Sequence, residues 1–423
     1  MKNRVNPKEA DNIIRALEAG VVPRRGIQHL LVGRNEEVQE VISILDSIIA
    51  GGSDIRFWVG DFGSGKSFML RTIESIAVQK NFVVSTVDLT PTRRFYASDG
   101  KARALYSAII DNIVVQTSQA GNALEEWINE IIMDVAKKYN ISMAELLTRG
   151  NKELIEKEIL DITSSFNSVG LSYELGQAIA KYYEGTIEDN KVLRLKALRW
   201  IRGDIDTKTE AKRELGIEKI INDDNWYDAI KNLAELFSDI GYSGFVINFD
   251  EAVNLYKLPM ARTRERNYER ILNIFNECKS NAARGLYVNF GATRKTVFDE
   301  NRGMSSYGAL KGRLGTEDGM DFKLVNTNRT VLPLKPLSVE EIYTLLENLN
   351  NIYNVYYRED IVMPKEYIKM YMEEQLNRPG ADEFLTPRAV IKDYLEILDL
   401  IRQNPEESIR NVIHIKFGRE PMP

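Results

Sequence analysis

The sequence predicts an α/β fold: a parallel sheet flanked by helices, carrying a large helical insertion and followed by a helical C-terminal domain. Three observations lead there. A short apolar run, Ile55-Arg56-Phe57-Trp58-Val59, meets a glycine loop, Gly60-Asp61-Phe62-Gly63-Ser64-Gly65-Lys66-Ser67, and a helical pattern begins at Phe68. Apolar, β-branched runs recur at Phe82 to Leu89, Phe245 to Phe249, Leu286 to Phe290 and Thr330 to Leu334, as in chains built from βαβ units. From about Ala102 to Asp239, and again from Pro336 to about Gln403, the periodicity is almost wholly helical. The expected division is a core of residues 1–104 and 239–335, an insertion at 105–238 and a helical domain at 336–423.

Bulk properties narrow the class. With 423 residues, 43% hydrophobic and 28% charged, the chain has the composition of a globular protein of two or three domains. A net charge of −6 gives no overall nucleic-acid footprint, so any such surface is local. The single cysteine, Cys278, excludes an intrachain disulfide and fits a reducing cytosol, and His29 and His414 are too few for a zinc constellation. The apolar runs fall short of the ~20 residues a membrane helix needs, and the opening MKNRVNPKEAD lacks the pattern of a signal peptide. A soluble, cytoplasmic protein that does not engage membranes is expected.

The N-terminal segment reads as a linker helix over 7–20, with Ala10, Ile13, Ile14 and Leu17 on one face and Gly20 as its stop. Gly33-Arg34-Asn35-Glu36-Glu37 then opens a helix through Ile49; Asn35 suits a cap and the glutamates suit the helix dipole. Its position just before the glycine loop also suggests a role for Gly33 and Arg34 beside a nucleotide base. The loop fits G-x-x-x-x-G-K-[ST] between strand and helix, the context in which backbone N–H groups cradle phosphates. Lys66 would then neutralise the β- and γ-phosphates and the Ser67 hydroxyl would hold Mg²⁺, making ATP and Mg²⁺ the expected ligands.

Phe245 to Phe249 ends on two carboxylates, Asp250 and Glu251. Beside a phosphate loop, Asp250 can hold the Mg²⁺ water shell, and Glu251 can polarise the attacking water as general base. Other basic stretches are more ambiguous. Leu193 to Arg202 alternates cations with apolar residues, but Asp204, Asp206 and Glu210 follow, so a solvated helix face competes with a DNA or partner surface. Arg93 and Arg94 follow the second strand, and Met260 to Arg264 reads as a basic loop near the carboxylates. Ser338 with Glu341 forms a capping box, Thr386 caps a helix with Pro387 in its first turn, and Gly418 to Pro423 should fray.

Taken together these motifs resemble an AAA+ ATPase, in the branch that contains replication initiators. The resemblance implies that Gly60 to Ser67, with Phe68, is Walker A and Asp250-Glu251 is Walker B. It further implies that Thr293 is the sensor-1 residue, Arg313 the arginine finger of a neighbouring site (with Arg294 a competitor) and Arg388 a sensor on a C-terminal lid. Across most of the chain, VGRNEE, GDFGSGKS, VDLTPTRRF, FDEAVNLYK and LTPRAVI resemble the ATP-binding proteins of bacterial BREX-type phage-defence loci, the BrxD-like family. That implies an ATP-hydrolysing switch or motor, slow unless assembled, in a DNA-linked process. Its partners would be further copies of the chain, another protein of a defence complex or double-stranded DNA. The alternative is a signalling or scaffold NTPase whose insertion docks a protein without touching DNA.

Overall fold

The strands of the computed structural model are β1 (Asp54–Val59), β2 (Val83–Asp88), β3 (Ile113–Val114), β4 (Phe245–Asp250), β5 (Leu286–Ala292) and β6 (Val331–Pro333). The structure describes residues 5–118, 123–166, 170–317, 329–361, 363–377 and 386–419. Among these the strands form one sheet in the order β3-β2-β4-β5-β1-β6. β1 pairs with β5, β5 with β4 and β4 with β2, all parallel, and β3 adds an antiparallel edge. Val59 lies opposite Ala292 and Asp250 opposite Asp88, so the carboxyl ends of the parallel strands share one edge.

The helices follow in order. Before the insertion come α1 (Pro7–Glu18), α2 (Asn35–Ile49), α3 (Lys66–Gln79) and α4 (Lys101–Asp111). The helical block continues through α5 (Leu124–Lys138), α6 (Met143–Leu146), α7 (Lys152–Ser164), α8 (Ser172–Ile187), α9 (Lys191–Ile201), α10 (Lys208–Leu215) and α11 (Trp226–Asp239). Between β4 and β6 lie α12 (Val253–Tyr256), α13 (Ala261–Lys279), α14 (Arg294–Phe298) and α15 (Gly308–Leu314). The C-terminal set is α16 (Val339–Tyr357), α17 (Lys365–Leu376), α18 (Pro387–Gln403) and α19 (Ile409–Lys416). No helix among the described residues is long and apolar enough to cross a membrane.

The chain divides into two compact units, one of residues 1–40, 60–75 and 333–423, the other of residues 41–59 and 76–332. In the first, the apolar stripe of α1 (Ala10, Ile13, Ile14) packs into a core with Ile342, Leu346 and Tyr353 of α16 and Tyr394 and Leu398 of α18. Asn6 accepts from Glu9 N and closes a capping box, and Pro7 stands at the first turn, where its missing N–H costs nothing. The predicted Ser338–Glu341 box is also present.

In the second unit, alternation along the strands gives the sheet two chemically distinct faces. One carries Phe57, Phe249 and Phe290, with Phe57 stacked on Phe290 at 4.7 Å and Phe249 at 5.2 Å from it. Phe95 closes this group from the segment after β2, 4.9 Å from Phe249. The apolar cluster continues through Trp226 and Phe237 of α11 to Trp127 of α5. The other face carries a lateral polar row: Asn248 donates to Thr86 Oγ1 at 3.1 Å, and Trp58 Nε1 donates to Asn289 Oδ1 at 2.9 Å. A neighbouring strand thus supplies one hydrogen-bond partner to each of these buried amides.

Several expectations need amendment. β3 interrupts the region read as almost wholly helical; its β-branched pair Ile113-Val114 finds a partner in Val84 and Ser85, which local periodicity does not reveal. The helical reading from Pro336 breaks where Arg358 takes a left-handed φ of 57° and Pro364 precedes α17, and residues 378–385 lie outside the described set. Met260 to Arg264 is no loop: α13 begins at Ala261, and Arg264 is buried, donating to the carbonyls of Leu258 at 2.8 Å and Pro259 at 3.1 Å. Of the frayed end, residues 420–423 lie outside the described set.

Phe290 stands at the centre of the aromatic face, so Phe290→Ala is expected to cost about 3–5 kcal/mol. Chemical denaturation followed by tryptophan fluorescence would read this as a lower midpoint; an unchanged midpoint would contradict the packing described.

Candidate functional site

Local backbone conformation defines the glycine loop between β1 and α3. Gly63 and Gly65 have φ of 83° and 90°, a region that costs other residues about 1–2 kcal/mol. Space excludes side chains as well: a Cβ on Gly60 would lie 2.8 Å from the Leu334 carbonyl, and one on Gly63 would lie 2.4 Å from Thr386 Cγ2. Gly65 differs: a Cβ there would meet Arg34 Nη2 and Phe68 Cβ at 3.9 Å, ordinary contact, so its backbone angle and not space excludes a side chain. Ser64 is buried with no hydrogen-bond partner for its hydroxyl. Asp61 is exposed, and Phe62 is 86% exposed at the loop tip.

Lys66 begins α3 and turns its ammonium back over the loop, donating to the carbonyls of Asp61 at 2.7 Å and Gly60 at 3.1 Å. Ser67 follows in the first helical turn, half-buried, and Phe68 packs against the core of the first unit. The same unit brings other predicted residues to this loop. Arg34 is buried and donates to the Ser64 carbonyl at 3.0 Å and the Lys335 carbonyl at 2.6 Å. Gly33, with φ of 67°, lies against Glu341, whose carboxylate a Cβ would meet at 2.3 Å. Thr386 caps α18, accepting from Ala389 N at 3.4 Å, and Arg388 is exposed in the first turn of that helix.

In the second unit, Asp250 ends β4 and Glu251 follows with φ of 54°, an unusual left-handed conformation for a side-chain-bearing residue. Asp250 Oδ1 accepts from Glu251 N at 2.8 Å, and the Glu251 carboxylate is exposed. The turn is fixed from two sides: Leu89 N donates to the Asp250 carbonyl at 3.0 Å, and Asn254 Nδ2 donates to the Leu89 carbonyl at 2.8 Å. Further on, Tyr256 Oη donates to Asp299 Oδ2 at 3.1 Å; the backbone N–H groups of Arg302 and Asn301 hold the Asp299 carboxyl below its ordinary range.

Thr293 stands just past the end of β5, beside β4, and its hydroxyl caps α14, accepting from Thr296 N at 3.2 Å. Arg313 lies on α15, donating from Nε to Asn276 Oδ1 at 3.1 Å, whereas Arg294 opens α14 and faces Glu317 at 3.8 Å. The basic stretch of α9 is extensively neutralised: Lys196 pairs with Glu214, Arg199 with Glu210 at 3.1 Å and Arg202 with Asp111 at 3.2 Å. Arg94 donates to the carbonyls of Pro91 and Tyr96, leaving Arg93 the more exposed of its pair.

Sequence reasoning had no access to three members of these surroundings. Lys335 acts through its carbonyl, which carries no sequence signal. Thr386 reads as a cap, yet its methyl also presses on Gly63. Asp88 lies opposite Asp250 in register, and only strand pairing places it there.

The contact with Thr386 makes Gly63 a sensitive position. Gly63→Ala is expected to destabilise the nucleotide-free protein by at least about 1 kcal/mol from backbone conformation alone. Thermal unfolding would register the loss; a midpoint equal to that of the parent would contradict the loop geometry.

Comparison with curated proteins returns no match. A family model does match, over residues 5–416, and its description is BREX system ATP-binding protein BrxC/D. That match takes in the glycine loop, the carboxylate pair of β4 and the C-terminal helices, so the chain belongs to the BrxC/D family of BREX system ATP-binding proteins.

Proposed function

We propose that the chain is an AAA+ ATPase of phage defence, with the glycine loop as its phosphate site and the carboxyl end of β4 as its hydrolytic edge. The observation that carries the reading is the loop itself: two left-handed glycines and a lysine at the start of α3 that folds back over the loop carbonyls. In this reading residues 105–238 are an insertion into the core and residues 336–423 a lid.

The residue chemistry fits the ligands. Backbone N–H groups of the loop and the N-terminus of α3 attract phosphate, and Lys66 exchanges its contacts with Gly60 and Asp61 for phosphate oxygens. The Ser67 hydroxyl and the Asp250 carboxylate are hard oxygen donors suited to Mg²⁺, which when bound neutralises charge building on the phosphates. Glu251 accepts a proton from the attacking water. Thr293 orients that water, Arg388 contacts the phosphates from the lid, and Arg313, or Arg294 in its place, completes a neighbouring copy's site. Such a finger contributes ~10³–10⁵ in rate, so the isolated chain turns over slowly. The process served is DNA-linked defence, with another protein of the complex or double-stranded DNA as partner.

One assay tests the assignment: ATP hydrolysis and ATP binding measured over a range of protein concentration, with and without duplex DNA. Glu251→Gln is expected to keep ATP affinity within a few-fold and to lose hydrolysis by ~10²–10⁴. Lys66→Ala is expected to lose binding. Specific activity should rise with concentration and fail to rise in Arg313→Ala. Undiminished turnover in Glu251→Gln would remove the base assignment, and rates independent of concentration would remove the trans finger.

A further inference from the structure

Arg34 is the feature that the nucleotide reading leaves unexplained. It is only 6% exposed, and its guanidinium engages three separate pieces of backbone and side chain. Nη2 donates to the carbonyls of Ser64 and Lys335, at 3.0 Å and 2.6 Å, and Nη1 donates to Glu37 Oε1 at 3.2 Å. Its partners thus come from the start of α2, the middle of the glycine loop and the segment after β6. A residue placed to touch a base would present donors outward; this one turns them into the protein.

The contact with Ser64 has a geometric consequence. No peptide bond among the described residues is cis, so the Ser64 carbonyl and the Gly65 N–H point in opposite directions across one planar unit. Arg34 holds that carbonyl, so the Gly65 N–H points away from the Arg34 guanidinium. We propose that Arg34 is a positioning residue for the phosphate loop: it fixes the Ser64–Gly65 peptide so that the Gly65 N–H faces the phosphates, and it makes no contact with the base. The bridge needs a planar fork that reaches two carbonyls and a carboxylate together. A lysine, with one compact ammonium, cannot reproduce it.

The proposal rests on the loop being the ATP phosphate site, and the test separates the two. Binding of ATP and of inorganic tripolyphosphate, both with Mg²⁺, is measured by calorimetry for the full chain, Arg34→Lys and Arg34→Ala. Nucleotide-free thermal melts verify folding; if Arg34→Ala does not fold, Arg34→Lys, which keeps the charge, carries the comparison. The expected result is a loss of about tenfold or more for both ligands by the same factor. Hydrogen exchange should also be faster at the Gly65 amide in the variant. Loss for ATP with tripolyphosphate unchanged would make Arg34 a base contact and overturn the proposal. Unchanged affinity for both would overturn it as well. Failure of the parent protein to bind either ligand would instead reject the loop as a phosphate site, and the proposal with it.

Discussion

A backbone turn with φ of 83° at Gly63 and 90° at Gly65 joins β1 to α3, and the proposed phosphate site depends on that turn. Only glycine takes those angles without strain, and only a loop so folded can point several N–H groups in one direction. The turn does not hold itself in place. The Leu334 carbonyl lies against Gly60, the Thr386 methyl against Gly63 and the Arg34 guanidinium against the Ser64 carbonyl. Three distant stretches of sequence therefore converge on eight residues of loop. A change at any of them alters the loop without touching a ligand.

The second unit solves a different problem, that of ending a buried strand on charge. β4 runs through Phe245, Val246, Ile247 and Phe249 and finishes on Asp250, with Glu251 next in the chain. The aromatic face around Phe290 and the amide row through Asn248 and Asn289 hold β4 between its neighbours, so the carboxylates emerge at a fixed edge. Glu251 then leaves the strand in a left-handed conformation, anchored by its N–H to Asp250. Strained backbone of this kind persists only where its surroundings impose it. Here the contacts of Asp250 and Asn254 with Leu89 supply that restraint.

Much of this architecture was legible in the sequence because it is local. Strand β1, the loop and α3 follow one another without interruption, and the Ser338–Glu341 box lies within one turn of helix. What stayed hidden depends on pairing or on backbone atoms. β3 is two residues long and exists only because β2 offers an edge. The lateral partners of Asn248 and Asn289 are set by strand order, which composition does not encode. Arg264 reads as a surface cation, yet the carbonyls of Leu258 and Pro259 draw it inward. The surroundings of Arg34 belong to the same category: its two carbonyl partners have no side-chain signature, so nothing in Val32-Gly33-Arg34 distinguishes a loop tether from a base contact.

The central claim is that residues 60–67 form the phosphate site, and amide hydrogen exchange with and without ATP and Mg²⁺ tests it most directly. The prediction is slower exchange in peptides covering Asp61 to Ser67 when ATP is present. Exchange in that segment unchanged by ATP, with protection arising elsewhere in the chain, would contradict it.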